Sequence, residues 1–200
     1  MLIEFKDNKI LLAYYGGSNA YGTTTNMSDK DIIVVLDDMK GYRHVIKESE
    51  KIEYFVFGKD YFIQKMEFDE TVSLYQRVFG DDILYVKEPI ILDKSFAKTY
   101  EKYRTRNLRE FIYKYLKSVI DYYEIYIDYG LRKNMYHLYR IEEQVKYYVE
   151  TGEFSTTISE EALEKMLVFK ENYKSNNDET RCEFKRIIEY LKGVSNNVSK

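Results

Sequence analysis

A glycine-serine turn and two closely spaced aspartates are the residues of this chain best suited to chemistry. Gly17 and Ser18 follow an apolar run at residues 10–15, and Asp29 and Asp31 precede a second apolar run. A strand that ends in glycine and serine presents backbone N–H groups and a hydroxyl that can hold phosphate oxygens. The aspartates are two positions apart on an extended segment, so both carboxylates leave the same face and can bind Mg²⁺. Together these features indicate phosphoryl or nucleotidyl transfer.

The apolar pattern predicts the elements that position these residues. Residues 10–15 and 32–36 are predicted strands, the second of them buried on both faces because its run is continuously apolar. A short helical turn is predicted between them, over residues 18–22. Gly16 and Gly22 are assigned to backbone geometry rather than to chemistry.

Glu53 is the candidate for a third carboxylate. It interrupts an apolar strand predicted over residues 52–57, where an unpaired carboxylate would be costly. In a two-metal mechanism, a third acid on a neighbouring strand would hold the ion that activates the attacking hydroxyl. The alternative is that Glu53 lies on the exposed face of an edge strand.

Gly17-Ser18, followed by ten residues and then Asp-Lys-Asp at 29–31, resembles the signature of the DNA polymerase β-like nucleotidyltransferase superfamily. The fuller pattern, with Ala-Tyr-Gly at 20–22, is similar to a subgroup of bacterial and phage members. The resemblance implies that three acids, Asp29, Asp31 and Glu53, are catalytic and hold two Mg²⁺ or Mn²⁺ ions. It also implies that Gly17 and Ser18 bind the β- and γ-phosphates of a nucleoside triphosphate. An ordinary turn with a solvated aspartate pair is the alternative.

Lys133, His137 and Arg140 form a second candidate patch, on a helix predicted over residues 131–150. Spacings of four and three residues place all three on one helical face. The pattern, followed by Gly152, is similar to the helical-domain motif of the same subgroup. Cationic donors would offset the triphosphate charge that two divalent ions leave uncancelled. Surface charge beside a half-buried histidine is the alternative interpretation.

From residue 93 onward the apolar period is helical. One long helix is predicted from residue 93 to Gly130. A shorter helix is predicted over residues 159–173, and the last helix is predicted to end at about residue 192. One side of the long helix carries a basic stripe, which is either a solvated face or a track for a polyanionic substrate. The stripe consists of Lys94, Lys98, Lys102, Arg106 and Arg109.

The net charge of −3 conceals a difference between the two parts of the chain. Residues 1–93 carry 11 Lys and Arg against 17 Asp and Glu, whereas residues 94–200 carry 20 against 17. This contrast fits metal binding in the first part and polyanion binding in the second, and uneven surface charge explains it equally well.

Cys182 is the only cysteine, which excludes an internal disulfide. With no signal peptide or apolar span in the sequence, a cytoplasmic location is expected.

We therefore expect an α+β architecture. Residues 1–92 are predicted to form a nucleotidyltransferase catalytic domain, a small mixed sheet of four or five strands with helices on one face, and residues 93–200 a helical domain. The active site is expected between the two domains. A hairpin of residues 2–5 with residues 9–15 is predicted at the start of the chain.

The expected activity is transfer of NMP from an NTP to a hydroxyl of RNA, protein or a small molecule. The alternatives are a catalytically silent antitoxin-like module and a nucleic-acid-binding module.

Overall fold

The computed structural model describes residues 5, 7–26, 28–126, 131–154, 158–171 and 178–198. The chain divides into two compact units, Met1–Arg106 and Asn107–Lys200. In the described residues the first unit contains a five-stranded sheet with short helices, and the second contains four helices. The predicted α+β class, a mixed sheet followed by a helical region, is confirmed.

Five strands form the sheet of the first unit. They are β1 (Ile10–Tyr15), β2 (Lys30–Leu36), β3 (Tyr42–Lys47), β4 (Ile52–Gly58) and β5 (Ile91–Leu92). Their spatial order is β3-β4-β2-β1-β5, so β2 and β4 lie inside the sheet and β3 at one edge. β2 and β4 run parallel, whereas the other neighbours run antiparallel. The first arm of the predicted N-terminal hairpin lies outside the described residues, except for Phe5.

β2 is buried on both faces, as its apolar run predicts. Residues 32–36 are all buried, and alternate side chains enter two apolar clusters. Ile33 packs with Phe57 on one face, whereas Val34 packs with Tyr54 on the other. A central strand held from both sides is a rigid support for the aspartates at its start.

Four short α-helices lie in the described residues of the first unit. They are α1 (Gly17–Tyr21), α2 (Lys59–Met66), α3 (Leu74–Val78) and α4 (Ala97–Arg104). Phe62 of α2 and Tyr100 and Tyr103 of α4 pack into the cluster that contains Ile33. Because α4 packs on the sheet, the division between the two compact units falls after Arg106, beyond the predicted domain boundary at residues 92 and 93.

The long helix predicted from residue 93 to Gly130 is wrong, because the chain breaks it at residues 105–107. Asn107 explains the break. Its side-chain Oδ1 accepts hydrogen bonds from the backbone N–H groups of Arg109 and Glu110, at 3.0 and 3.2 Å. This is an N-cap, and it starts a new helix. Gly130 lies outside the described residues.

The basic stripe that the long helix was predicted to carry is therefore not continuous. Lys102 donates to Glu67 at 2.6 Å, and Arg106 turns inward to the backbone oxygens of Met66 and Tyr103. Two of the five stripe residues, Lys102 and Arg106, thus have partners within the first unit. These contacts remove the main support for a polyanion track.

The second unit contains the helices α5 (Leu108–Tyr126), α6 (Leu131–Thr151), α7 (Glu160–Glu171) and α8 (Asp178–Val198). Gly152 follows α6 with a φ of 75°, a left-handed conformation that suits glycine at a helix end. Ser159 caps α7, because its Oγ accepts the Ala162 N–H at 3.2 Å. Both positions confirm the predicted helix boundaries. Among the described helices, none combines the length and the hydropathy of a membrane span.

An ionic network joins α6 to α8. The Arg186 guanidinium donates to both carboxylate oxygens of Glu142, at 2.7 and 2.9 Å, and also to Glu183. The Glu142 side chain is only 4% exposed and also pairs with Lys146 at 2.9 Å. Burial alone would raise the pKa of Glu142, but the hydrogen bonds from Arg186 and Lys146 bring this pKa below its usual value. Hydrogen bonding by Arg186 likewise lowers the pKa of Glu183.

We expect Arg186→Met to lower the free energy of unfolding at pH 7 by about 1–2 kcal/mol, because it leaves Glu142 buried with one cation fewer. The half-exposed position of Arg186 keeps the loss below that of a fully buried pair. Carboxylates with lowered folded-state pKa values stabilise above their unfolded pKa and lose that contribution as pH falls. Urea unfolding at pH 7 and pH 4 should therefore show a smaller acid-induced loss in the variant than in the wild type.

Lys165→Met is the matched control, because it removes an exposed pair with Glu161 at 2.6 Å in the same unit. It should leave both measurements essentially unchanged. An equal acid-induced loss in wild type and Arg186→Met would contradict the assignment of this pH dependence to the network.

Candidate active site

The glycine-serine turn joins β1 to α1 and packs directly against Asp31. The Gly16 N–H donates to the Asp31 backbone oxygen at 2.9 Å, which fixes the turn beside the start of β2. Gly17 has a φ of 54°, and a Cβ atom placed on it would overlap Oδ2 of Asp31. Only glycine leaves room for this carboxylate, so the predicted phosphate turn and one predicted metal ligand are in contact.

Asp29 is held near the same turn through its backbone. The Asn19 side chain, in α1, donates to the Asp29 carbonyl oxygen at 3.3 Å. In the described part of the loop between them, Ser28 Oγ accepts a hydrogen bond from the Thr25 N–H at 2.9 Å. No sequence pattern singled out Asn19, and its role as a link between the turn and Asp29 becomes visible only in the structure.

Glu53 lies beside Asp31 in the sheet. The two residues are register partners in the parallel pairing of β2 with β4, so their side chains leave the same face. Neighbouring strands are about 4.8 Å apart, which brings the two carboxylates within reach of a shared ion. Because β4 is flanked by β2 and β3, the alternative that placed Glu53 on an edge strand is excluded.

His44 is the partner of Glu53. Its Nε2 atom is 2.9 Å from Glu53 Oε2, and its ring stacks on Phe55 with centroids 4.6 Å apart. The sequence pattern does not point to His44, because its position depends on the register of β3 against β4. None of the β3 residues is fully buried, so its sequence specifies that register only weakly.

The three candidate carboxylates fit a hard divalent cation by ligand type, since Mg²⁺ prefers carboxylate oxygens. In the part of the chain that the structure describes, no three His, Cys, Asp or Glu side chains lie close enough together to hold a metal ion. Glu53 faces His44, and its side chain is 26% exposed. The three candidate side chains are therefore not gathered around one point in this arrangement, and their role as metal ligands stays a prediction.

The second predicted patch lies on α6. Arg140 has no exposed surface, and its Nη1 donates to Gln144 at 3.1 Å. His137 is half-buried with its ring edge-on to Tyr136, and the side chain of Lys133 lies outside the described residues. A role for the three in phosphate binding stays a prediction, and Arg140 is completely buried.

A family model of the nucleotidyltransferase domain matches residues 3–168. The match covers most of the chain, which therefore belongs to this family, within the polymerase β-like superfamily. The predicted superfamily is confirmed, whereas the similarity to a particular subgroup stays a prediction. No curated protein matches the chain. The family supports nucleotidyl transfer and thus a nucleoside triphosphate substrate, and it does not favour the silent or nucleic-acid-binding alternatives.

Proposed function

We propose that this protein is a metal-dependent nucleotidyltransferase that moves NMP from an NTP to a hydroxyl acceptor. The observation that carries the proposal is the contact between Gly17 and the Asp31 carboxylate, with Glu53 in register beside it. The turn proposed to bind phosphate, the proposed metal ligand Asp31 and the proposed third acid Glu53 thus lie at one end of two neighbouring strands.

The proposed roles follow from the order of the elements. The Gly17 backbone and the Ser18 hydroxyl would bind the β- and γ-phosphates, on the β1 side of β2. Asp29, Asp31 and Glu53 would hold Mg²⁺ or Mn²⁺, and the bound ions would stabilise charge on the attacking and leaving oxygens. Because β4 lies on the opposite side of β2 from β1, Glu53 would face the acceptor hydroxyl rather than the leaving pyrophosphate.

In the proposed reaction, the acceptor oxygen forms a bond to the α-phosphorus while the bond to pyrophosphate breaks. The acceptor hydroxyl loses its proton on the side where Glu53 lies, and this carboxylate can accept it. The turn holds the triphosphate in line for attack, so positioning makes a large contribution to the rate. RNA, protein and small hydroxyl compounds all remain acceptors within this proposal.

The test is incubation with each labelled NTP and Mg²⁺ or Mn²⁺, with chelator as a blank. Asp29→Asn should lower label incorporation or pyrophosphate release by about 100-fold, since it removes a metal-binding charge from the site. Asp37→Asn is the matched control, because Asp37 follows the far end of β2 and pairs with Lys9 at 3.2 Å.

Equal activity in wild type and Asp29→Asn would contradict the proposal, as would activity that is insensitive to the chelator. If the assay lacks the acceptor and shows no transfer, calorimetric binding of each NTP with Mn²⁺ gives the same comparison between wild type and variant. Wild type should bind one of the NTPs in a metal-dependent way, and Asp29→Asn should bind it more weakly.

A further inference from the structure

Five buried polar side chains lie beneath the glycine-serine turn, separate from the three carboxylates described above. None is more than 3% exposed. This under-turn cluster consists of Tyr14, Tyr21, Lys65, Asp81 and Asp82.

The cluster contacts the chain on both sides of the glycine-serine turn. The Tyr14 hydroxyl, two residues before Gly16, donates to Asp82 Oδ1 at 3.1 Å. The Tyr21 hydroxyl, at the last residue of α1, donates to Asp81 Oδ1 at 3.3 Å. The two acids are consecutive, so a single short segment of backbone receives a hydroxyl from each end of the turn.

Asp82 also approaches the turn itself. Its Oδ2 atom lies 3.3 Å from the position that a Cβ on Gly16 would take. Lys65 of α2 supplies a positive charge, with Nζ 3.9 Å from Asp82 Oδ1. The same helix follows directly from β4, which carries Glu53, so the cluster connects the turn with the strand of the third acid.

Burying these polar and charged side chains costs free energy of folding. Burial raises the pKa of Asp82, which measures the penalty on its charged form, and the nearby Lys65 opposes this shift. Burial also lowers the pKa of Lys65. Apolar residues of similar volume often stabilise as well as or better than buried charges, so stability alone is a poor explanation of the arrangement.

We propose that Asp81 and Asp82 are positioning residues that, through Tyr14 and Tyr21, hold the glycine-serine turn ready for the triphosphate. Tyr14 and Asp82 fix the entry to the turn, and Tyr21 and Asp81 fix the end of α1. The inference rests on the proposed function, because it assumes that the turn binds phosphate. It adds that the phosphate site depends on four side chains that touch no phosphate themselves.

The test compares the double variant Tyr14→Phe/Tyr21→Phe with wild type, since this change removes two hydroxyls and keeps both rings. Two measurements are made on the full chain. Amide hydrogen exchange follows residues 17–22, and calorimetry follows binding of inorganic tripolyphosphate with Mg²⁺, a probe that needs neither base nor acceptor. We expect exchange about tenfold faster and tripolyphosphate binding about tenfold weaker in the variant, from the loss of two hydrogen bonds to carboxylates.

Tyr100→Phe is the matched control, because it removes a buried hydroxyl that donates to the Val86 oxygen at 3.3 Å in the same apolar cluster as Tyr14. It should change neither measurement. Unchanged exchange in the double variant would overturn the inference, as would faster exchange with undiminished binding, or an equal effect of Tyr100→Phe. A wild type that binds no tripolyphosphate would overturn the phosphate site of the proposed function and the positioning role with it, whereas exchange would still report whether the cluster holds the turn.

Discussion

Gly17→Ala should lower nucleotidyl transfer by about 10,000-fold while the protein stays folded. The new Cβ would overlap Asp31 Oδ2, so either the turn or the carboxylate must move. A displacement of 1 Å in a site that works by positioning costs about 100-fold, and loss of one electrostatic contact adds a similar factor. Steady-state rates with labelled NTP, together with thermal unfolding, measure the effect.

Gly22→Ala separates the overlap from backbone strain. Gly22 also has a positive φ, 71°, but a Cβ there meets no atom within 4 Å. Alanine should cost about 1 kcal/mol of stability at this position, because its left-handed conformation disfavours a side chain. If Gly22→Ala impairs transfer as much as Gly17→Ala, the effect belongs to backbone strain and not to the contact with Asp31.

Glu53→Gln should lower the turnover rate by about 1,000-fold and leave the affinity for the triphosphate within a few fold. The substitution keeps the shape of the side chain but removes its charge and its ability to accept a proton, a loss that typically costs 100- to 10,000-fold. Phosphate contacts are assigned to Gly17 and Ser18, on the other side of Asp31, so binding should persist. Single-turnover rates and calorimetric NTP binding measure the two quantities separately.

Glu50→Gln is the control for Glu53→Gln. Glu50 lies just before β4, is exposed, and pairs only with Lys47 among the contacts of the described residues. It should leave turnover unchanged. A Glu53→Gln variant with near wild-type turnover would show that Asp29 and Asp31 suffice, and would remove Glu53 from the proposed mechanism.

Much of the site could be predicted because its parts are local in sequence. Gly17 has a positive φ that favours glycine in such a turn. Strand alternation predicts that Asp29 and Asp31 lie on one face. Glu53 could be singled out because a carboxylate inside an apolar strand needs an explanation. The superfamily assignment rests on these residues, and the family match confirms it.

The partners of these residues could not be predicted in the same way. His44 reaches Glu53 only because β3 pairs with β4 in one particular register. Asp82 and Lys65 lie far from the turn in sequence and meet it through packing, so no periodicity in the chain points to them. Long-range contacts of this kind need coordinates.

The error over the long helix had a local cause. Asn107, followed three residues later by Glu110, is the pattern of a helix start. The strong helical period on both sides of Asn107 concealed that signal. The helix break ends α4 on the sheet and places the division between the compact units after Arg106.

The close contact between Gly17 and Asp31 also has a consequence for ligand binding. Because the same backbone segment borders both the proposed cation ligand Asp31 and the proposed phosphate-binding turn, we expect a ligand that orders one of them to order the other. The two occupants are therefore thermodynamically linked, and each should raise the affinity of the other by the same factor. We therefore expect the protein to bind the complex of cation and triphosphate in preference to either component alone.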